Sequence, residues 1–325
     1  MSKNSIYISK LNSFIDEATN DLCVKKYPNT LYAPIHYHLS NKGKKTRSIL
    51  CLLSYKLFND NITDCKPLIS AIESLHEFTL IHDDIMDCAS TRRGQLTINK
   101  KWSNSQAIIS GDVLLINAYR HLLNLSEFNN SIIKIFTETS IKICEGQQLD
   151  MDFAKKKSIS LQEYLEMIDL KTGALIEFSM ISPALMLNLE TEVIKLIKKI
   201  GSKLGQLFQI QDDFIDIYGQ YADTGKLIGK DVIERKKTFL YLKAVQSLDN
   251  DNMVKFTQLY NSDLDDKIYQ VKLLYDKIGI KGLVLEEMHK IYQKINLLIG
   301  ELPHSNLESK KTLKDFINTI YKRKK

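Results

Sequence analysis

Glycine and proline are scarce in this 325-residue chain, at 13 and 5. Hairpin-rich sandwiches and barrels need both residues at their turns, so that class is disfavoured. Leu, Ile, Lys and Glu recur at three- and four-residue spacing through most of the chain, and the expectation is an all-α protein. The cysteines, Cys23, Cys51, Cys65, Cys88 and Cys144, are odd in number and contain no CxxC pair. That argues against a disulfide framework or zinc knuckle and for reduced thiols in a cytoplasmic protein. No stretch reaches the roughly eighteen apolar residues that span a bilayer. The opening MSKNSIYISKLNSF lacks the apolar core of a secretion signal. Net charge is only +6, and with no RNA-binding signature or aromatic–basic stripe, no nucleic-acid partner is expected. The terminal run Lys322-Arg323-Lys324-Lys325 reads as a solvated helix end, where cations are favourable. No composition shift marks a boundary, so one domain over residues 1–325 is expected.

What the chain does contain is two matching DDxxD arrays, Asp83/Asp84/Asp87 and Asp212/Asp213/Asp216, inside the apolar runs LIHDDIMD and FQIQDDFIDIY. Each lies near the C-terminal end of a predicted helix, over 68–87 and 200–217. First and last aspartate of an array share one helix face, one turn apart. Like charges repel there, the macrodipole disfavours them, and neither run contains a lysine or arginine. Hard divalent ions, completed by phosphate oxygens, would neutralise them. Basic clusters flank the arrays: Lys44, Lys45 and Arg47 after Gly43; Arg92-Arg93-Gly94 beyond Asp87; Lys171-Thr172-Gly173, which interrupts an apolar helix; and Lys226, Lys230, Lys236 and Lys237 after Asp216. Arginine forks suit phosphate oxygens, and glycine lets backbone approach them. Loops are expected at 40–46, 87–96, 154–160, 218–237 and 301–309, and Ser160-Leu-Gln-Glu163 reads as a capping box.

In order, the motifs are GKKTR (43–47), DDIMD (83–87), RRG (92–94), GQQLD (146–150), KTG (171–173), FQIQDDFID (208–216) and GKLIGKDVIERKKT (225–238). On these the chain resembles the trans-isoprenyl diphosphate synthases, the polyprenyl synthetase family. The resemblance implies a bundle of ten or more helices around a deep central cavity, and a homodimer. It implies head-to-tail condensation of isopentenyl diphosphate with an allylic diphosphate, with three Mg2+ ions bound. By motif match, Asp83, Asp87 and Asp212 would be metal ligands, with Asp84, Asp213 and Asp216 in support. Arg92, Lys171, Lys226 and Lys236 would hold the allylic diphosphate; Lys44, Arg47, His76 and Arg93 the isopentenyl diphosphate. Thr172 and Gln209 would line the reaction centre. His82 reads instead as a packing or supporting histidine.

Phe78 lies five residues before Asp83, about 7.5 Å deeper along the helix. With Thr79 and Leu75 it resembles the chain-length floor of short-chain members, implying products of fifteen to twenty carbons. The chain departs from the family at Lys42, Ser48, 95–99 and Arg235. A terpene cyclase would carry a different second metal motif and no isopentenyl site. A silent subunit of a heteromeric synthase would lose an aspartate array or its arginines, and neither is lost here.

Overall fold

The computed structural model describes residues 3–20, 22–23, 25–125, 130–219 and 228–323. As the spacing predicts, it is all-α apart from one two-stranded hairpin among the described residues. The chain forms two compact units, one of Met1–Ser140, Phe178–Lys198 and Leu302–Asp315, the other of Ile141–Glu177, Lys199–Glu301 and Phe316–Lys325.

The first unit contains α1 (Lys3–Thr19), α2 (Asn29–Ser40), α3 (Thr46–Lys56), α4 (Lys66–Met86), α5 (Ile98–Lys101) and α6 (Asn104–Leu122); α1, α3, α5 and α6 pack on α4, α6 most heavily, and α2 packs on α6. Leu68, Ile72, Leu75 and Phe78 repeat at three or four residues and are all buried, which is why this stretch is helical and which face turns inward. Pro67 in its first turn needs no helical donor. At the other end the Asp87 amide bonds the Asp83 carbonyl, and Cys88 turns left-handed at φ 51°, stopping the helix. The loop expected at 87–96 contains the hairpin, Thr91–Arg92 against Gln95–Leu96. Its two-residue turn needs positive φ at both positions, and Arg93 and Gly94 supply 52° and 79°.

α7 (Asn130–Lys155), α9 (Ala174–Met186) and α10 (Thr191–Tyr218) contribute residues to both units. α10 begins at Thr191, well before the expected 200, because Val193 and Ile197 extend the buried face of Ile200, Leu204 and Leu207. In the second unit, α8 (Leu161–Ile168) opens with the expected capping box, Ser160 Oγ accepting from the Glu163 amide at 3.1 Å and Glu163 Oε2 accepting from the Ser160 amide at 2.8 Å. The Lys171-Thr172-Gly173 stretch does not end the helix; Asp169–Gly173 is a π-helical turn leading into α9. Such a turn carries an extra residue per turn and re-aims its side chains. Three glycines make room for it: a Cβ on Gly146 would lie 2.6 Å from Lys171 Cα, one on Gly205 2.5 Å from Gly173 Cα, and one on Gly201 2.8 Å from Glu177 Cα.

The remaining helices are α11 (Lys230–Ile233), inside the loop expected at 218–237, α12 (Phe239–Ser247), α13 (Asn250–Tyr260), α14 (Lys267–Lys277), α15 (Ile280–Glu301) and α16 (Leu307–Tyr321). Tyr241, Phe256 and Tyr260 pack ring against ring, with centroids 4.6 to 5.6 Å apart, and join α12 to α13. Among the described residues no helix is long and apolar enough to cross a membrane.

Candidate active site

The first array divides by burial. Asp83 and Asp87 are half-buried, whereas Asp84 points inward and is 2% exposed. A cation absent from the local sequence meets Asp84: Arg92, delivered by the hairpin, donates Nε to both carboxylate oxygens at 2.8 and 2.9 Å and Nη2 to one at 2.7 Å. Burial alone would lower the Arg92 pKa, but the Asp84 hydrogen bond and charge raise it. The Asn99 amide donates to the Asp84 carbonyl at 3.3 Å, so that departure ties α5 to α4.

About two turns earlier on α4, His76 accepts Arg47 Nη1 on Nε2 at 3.2 Å. Burial, and then the nearby Arg47, pull its pKa well below the ordinary imidazole value. A neutral ring accepting on Nε2 carries its proton on Nδ1, and that atom is buried without a hydrogen-bond partner. A buried donor beside arginines is suited to an anionic oxygen. Lys44 is exposed on the same loop. Two departures have local explanations: Lys42 pairs with Asp16 at 2.9 Å, and buried Ser48 donates its hydroxyl to buried Glu73.

In the second unit the array divides again. Asp213 is 4% exposed and fully bonded: Tyr164 donates to Oδ2 at 2.5 Å, the Phe239 amide to Oδ2 at 2.9 Å and Gln209 Nε2 to Oδ1 at 3.0 Å. Thr172 donates its hydroxyl to Gln209 Oε1 at 2.7 Å, so a chain of hydrogen bonds runs from the π turn to Asp213. Asp216 accepts the Asp231 amide at 3.1 Å and its carbonyl the Gly229 amide at 2.7 Å, which places it over the start of α11. Burial and then the Asp231 charge push both Asp213 and Asp216 up to about 7. Lys171 bonds Asp150 at 2.6 Å, and Lys236 bonds Glu234 at 3.2 Å.

Asp212 is the most exposed of this array, and Arg323 pairs with it. The guanidinium also stacks 3.8 Å over the Phe208 ring and donates to the Phe208 carbonyl at 3.0 Å and Gln211 Oε1 at 2.7 Å. The reading of the terminal basic run as a solvated helix end is therefore corrected for Arg323, whose side chain is only 15% exposed. An aromatic face and a carboxylate 111 residues away outweigh its hydration. Lys226 lies outside the described residues, as do Lys324 and Lys325.

Mg2+ fits the donor set on chemistry. The donors are carboxylate oxygens only, and burial with the Asp231 charge makes ionised Asp213 and Asp216 costly, a cost that a nearby cation would relieve. Among the described residues no three His, Cys, Asp or Glu side chains converge into a closed metal cage. A hard ion bound by one or two carboxylates would take its other oxygens from water and phosphate. Sequence reasoning passed over Asp231, Tyr164 and Gln147. Gln147 is 6% exposed and neither end of its amide has a partner. Asp231 and Gln147 stood inside recognised motifs; Tyr164 gave no signal of its own.

At the proposed floor, Leu75 is fully buried and Phe78 is 9% exposed. The Phe78 ring lies 4.6 Å from that of His82, which bonds the Ile108 carbonyl at 3.1 Å. A Cβ on Gly111 would lie 2.5 Å from His82 Cδ2, so α6 approaches close enough to pin the imidazole. Thr79 donates to the His76 carbonyl at 2.7 Å.

Comparison with known proteins agrees with these features. The short chain isoprenyl diphosphate synthase of Methanocaldococcus jannaschii is 34% identical over 240 residues, 73% of either chain. The geranylgeranyl diphosphate synthase of Methanosarcina mazei is 33% identical over 242 residues, 74% of this chain and 75% of that one. A crystal structure of a geranylgeranyl pyrophosphate synthase matches 100% of both chains with a TM-score of 0.92 at 34% identity. The sequence profile described as Polyprenyl synthetase matches residues 28–278, which include both aspartate arrays and every basic motif between them. With its all-α isoprenoid synthase fold, the chain belongs to the polyprenyl synthetase family of prenyltransferases.

Proposed function

We propose that this protein condenses isopentenyl diphosphate head-to-tail with an allylic diphosphate, in a Mg2+-dependent reaction, to give a trans-prenyl diphosphate of fifteen to twenty carbons. The observation that carries the reading is His76. A neutral imidazole with a buried, unpartnered Nδ1 proton, held by Arg47, is a site for a second anion on a helix whose end already carries Asp83 and Asp87. A cyclase has one diphosphate to bind; a condensing synthase has two.

Asp83, Asp87 and Asp212 would hold Mg2+, with Asp84, Asp213 and Asp216 supporting them. When bound, the ions supply positive charge to the leaving diphosphate oxygens. Arg92, Lys171, Lys226 and Lys236 add to that stabilisation as the allylic C1–O bond breaks and its electron pair leaves with the diphosphate. Thr172 donates its proton to Gln209, which leaves the hydroxyl lone pairs to face the allylic cation. The isopentenyl double bond, placed by Lys44, Arg47, His76 and Arg93, attacks that carbon. The proton lost afterwards goes to the departed diphosphate, so no side-chain base is required. We place the enzyme in the cytoplasm as a homodimer of one polyprenyl synthetase-like domain per chain. The exposed Ile109, Ile116 and Leu123, spaced seven apart along and just beyond α6, support the dimer.

The test is product analysis with Mg2+, isopentenyl diphosphate and, in turn, dimethylallyl, geranyl and farnesyl diphosphate. Products ending at fifteen or twenty carbons are expected, and removal of divalent ions by EDTA should abolish them. Cyclised hydrocarbons, or no consumption of isopentenyl diphosphate by folded protein, would overturn the proposal. Phe78→Ala should lengthen the main product by one or more five-carbon units, because the ring is the bulk removed from beneath the array. An unchanged product length would show that the floor lies elsewhere.

A further inference from the structure

Glu77 follows His76 on α4, and its side chain is 8% exposed. Oε2 accepts His38 Nε2 at 2.7 Å, and Oε1 accepts Arg93 Nη1 and Nη2 at 3.4 and 3.3 Å. Arg93 Nη1 also donates to the Asn41 carbonyl at 2.6 Å, and the Asn41 amide donates back to the Arg93 carbonyl at 3.0 Å. A Cβ on Gly43 would stand 2.6 Å from Arg93 Nη2, so the loop lies directly on the guanidinium. These contacts close a ring through α2, the 41–45 loop, α4 and the hairpin turn. Lys44, Arg47, His76 and Arg93 all stand on or beside those segments.

A buried carboxylate next to an anion site is costly unless its charge is taken up. Burial alone would raise the Glu77 pKa, but the His38 hydrogen bond and charge, with Arg93 beyond, hold it at about 2. The carboxylate therefore stays ionised and keeps its grip on the arginine. A cavity of about 210 Å³, lined by Lys42, Gly43, Lys45, Glu73 and Glu77 among others, lies alongside. An untethered arginine would have room to lean there, and immobilising a free arginine on binding costs rotamer entropy.

We propose that Glu77 is the positioning residue of the isopentenyl diphosphate site: with His38 it holds the Arg93 fork against the Asn41–Gly43 turn, and so sets where the diphosphate lies relative to His76 and Arg47. The inference rests on the function proposed above. The competing effect is electrostatic, since a negative charge beside the site weakens its attraction for diphosphate. The two effects predict opposite signs for Glu77→Gln.

The experiment is steady-state kinetics of Glu77→Gln, Glu77→Asp and His38→Gln with each substrate varied. Calorimetric titration with isopentenyl diphosphate alone accompanies it. Glu77→Gln is expected to raise KM for isopentenyl diphosphate about tenfold and weaken its binding equally, with KM for the allylic substrate and kcat within about twofold. Glu77→Asp keeps the charge and should recover most of the loss; His38→Gln should fall between. Unchanged or tighter binding by Glu77→Gln would overturn positioning in favour of charge. A joint rise in both KM values with a lowered melting temperature would overturn it in favour of a purely structural role. Failure of the functional reading itself looks different: the unsubstituted enzyme would then neither bind nor consume isopentenyl diphosphate.

Discussion

Asp83→Ala is expected to lower kcat about a thousandfold while costing far less stability than the neighbouring Asp84→Ala. The reaction separates an anion from a cation, and charge on the leaving diphosphate is stabilised by whatever ions the array holds. Loss of one carboxylate ligand removes several kcal/mol from that stabilisation, and a thousandfold corresponds to about 4 kcal/mol. The stability cost is small because opposing effects offset. Asp83 feels the Arg92 charge, but it also repels Asp87 one turn along, sits at the unfavourable end of the α4 dipole, and has lower helix propensity than alanine. Asp84→Ala is the contrast. Its carboxylate is buried against Arg92, and breaking a buried pair on one side costs about 3–5 kcal/mol. Single-turnover rates at saturating Mg2+, together with urea melts of both variants, separate the cases. If Asp83→Ala retained a tenth of parental turnover, the carboxylate would be no metal ligand.

Gly146→Ala should be nearly as damaging, for a reason unrelated to charge. The added methyl would meet backbone, at 2.6 Å from Lys171 Cα and 2.7 Å from the Leu170 carbonyl carbon, where no side chain can swing aside. α7 and the π turn must part by about 1 Å to restore ordinary contact, a strain of about 3 kcal/mol. The same displacement moves Lys171 from Asp150 and Thr172 from Gln209, which are now 2.6 and 2.7 Å away. A shift of that size at a reaction centre costs about a hundredfold in rate. Gly282→Ala is the matched control, since nothing lies within 4 Å of its position in α15; it should be neutral or stabilising by up to about 1 kcal/mol. Denaturant midpoints and kcat decide the matter. An alanine at 146 that is tolerated in both would mean the two segments are not in intimate contact.

Much of this protein was legible along the chain because the rules that made it legible are local. Burial at three- and four-residue spacing placed the aspartate-bearing helices, and α4 occupies Lys66–Met86 against an expected 68–87. Ser160 and Glu163 specified a helix start through contacts three residues apart. The hairpin at 91–96 was missed because Arg-Gly is a weaker turn signal than Asn-Gly, and its two strands are only two residues each. The π turn was missed because it reflects how closely Gly146 and Gly205 let neighbouring helices approach.

The sequence by itself determined the fold class, the helix periodicity and the kinds of side chain available to a site: oxygen donors at helix ends, and arginines and lysines nearby. Tertiary structure alone decided how those side chains divide their roles. Asp84 and Asp213 are turned inward and bonded, Asp83 and Asp87 are left half-buried, and Asp212 meets Arg323. Nothing local selects Arg92 for Asp84, Arg323 for Asp212, or His38 and Arg93 for Glu77. Those partners lie between 8 and 111 residues apart. Which of them meet depends on helix packing, and packing is a property of the whole core.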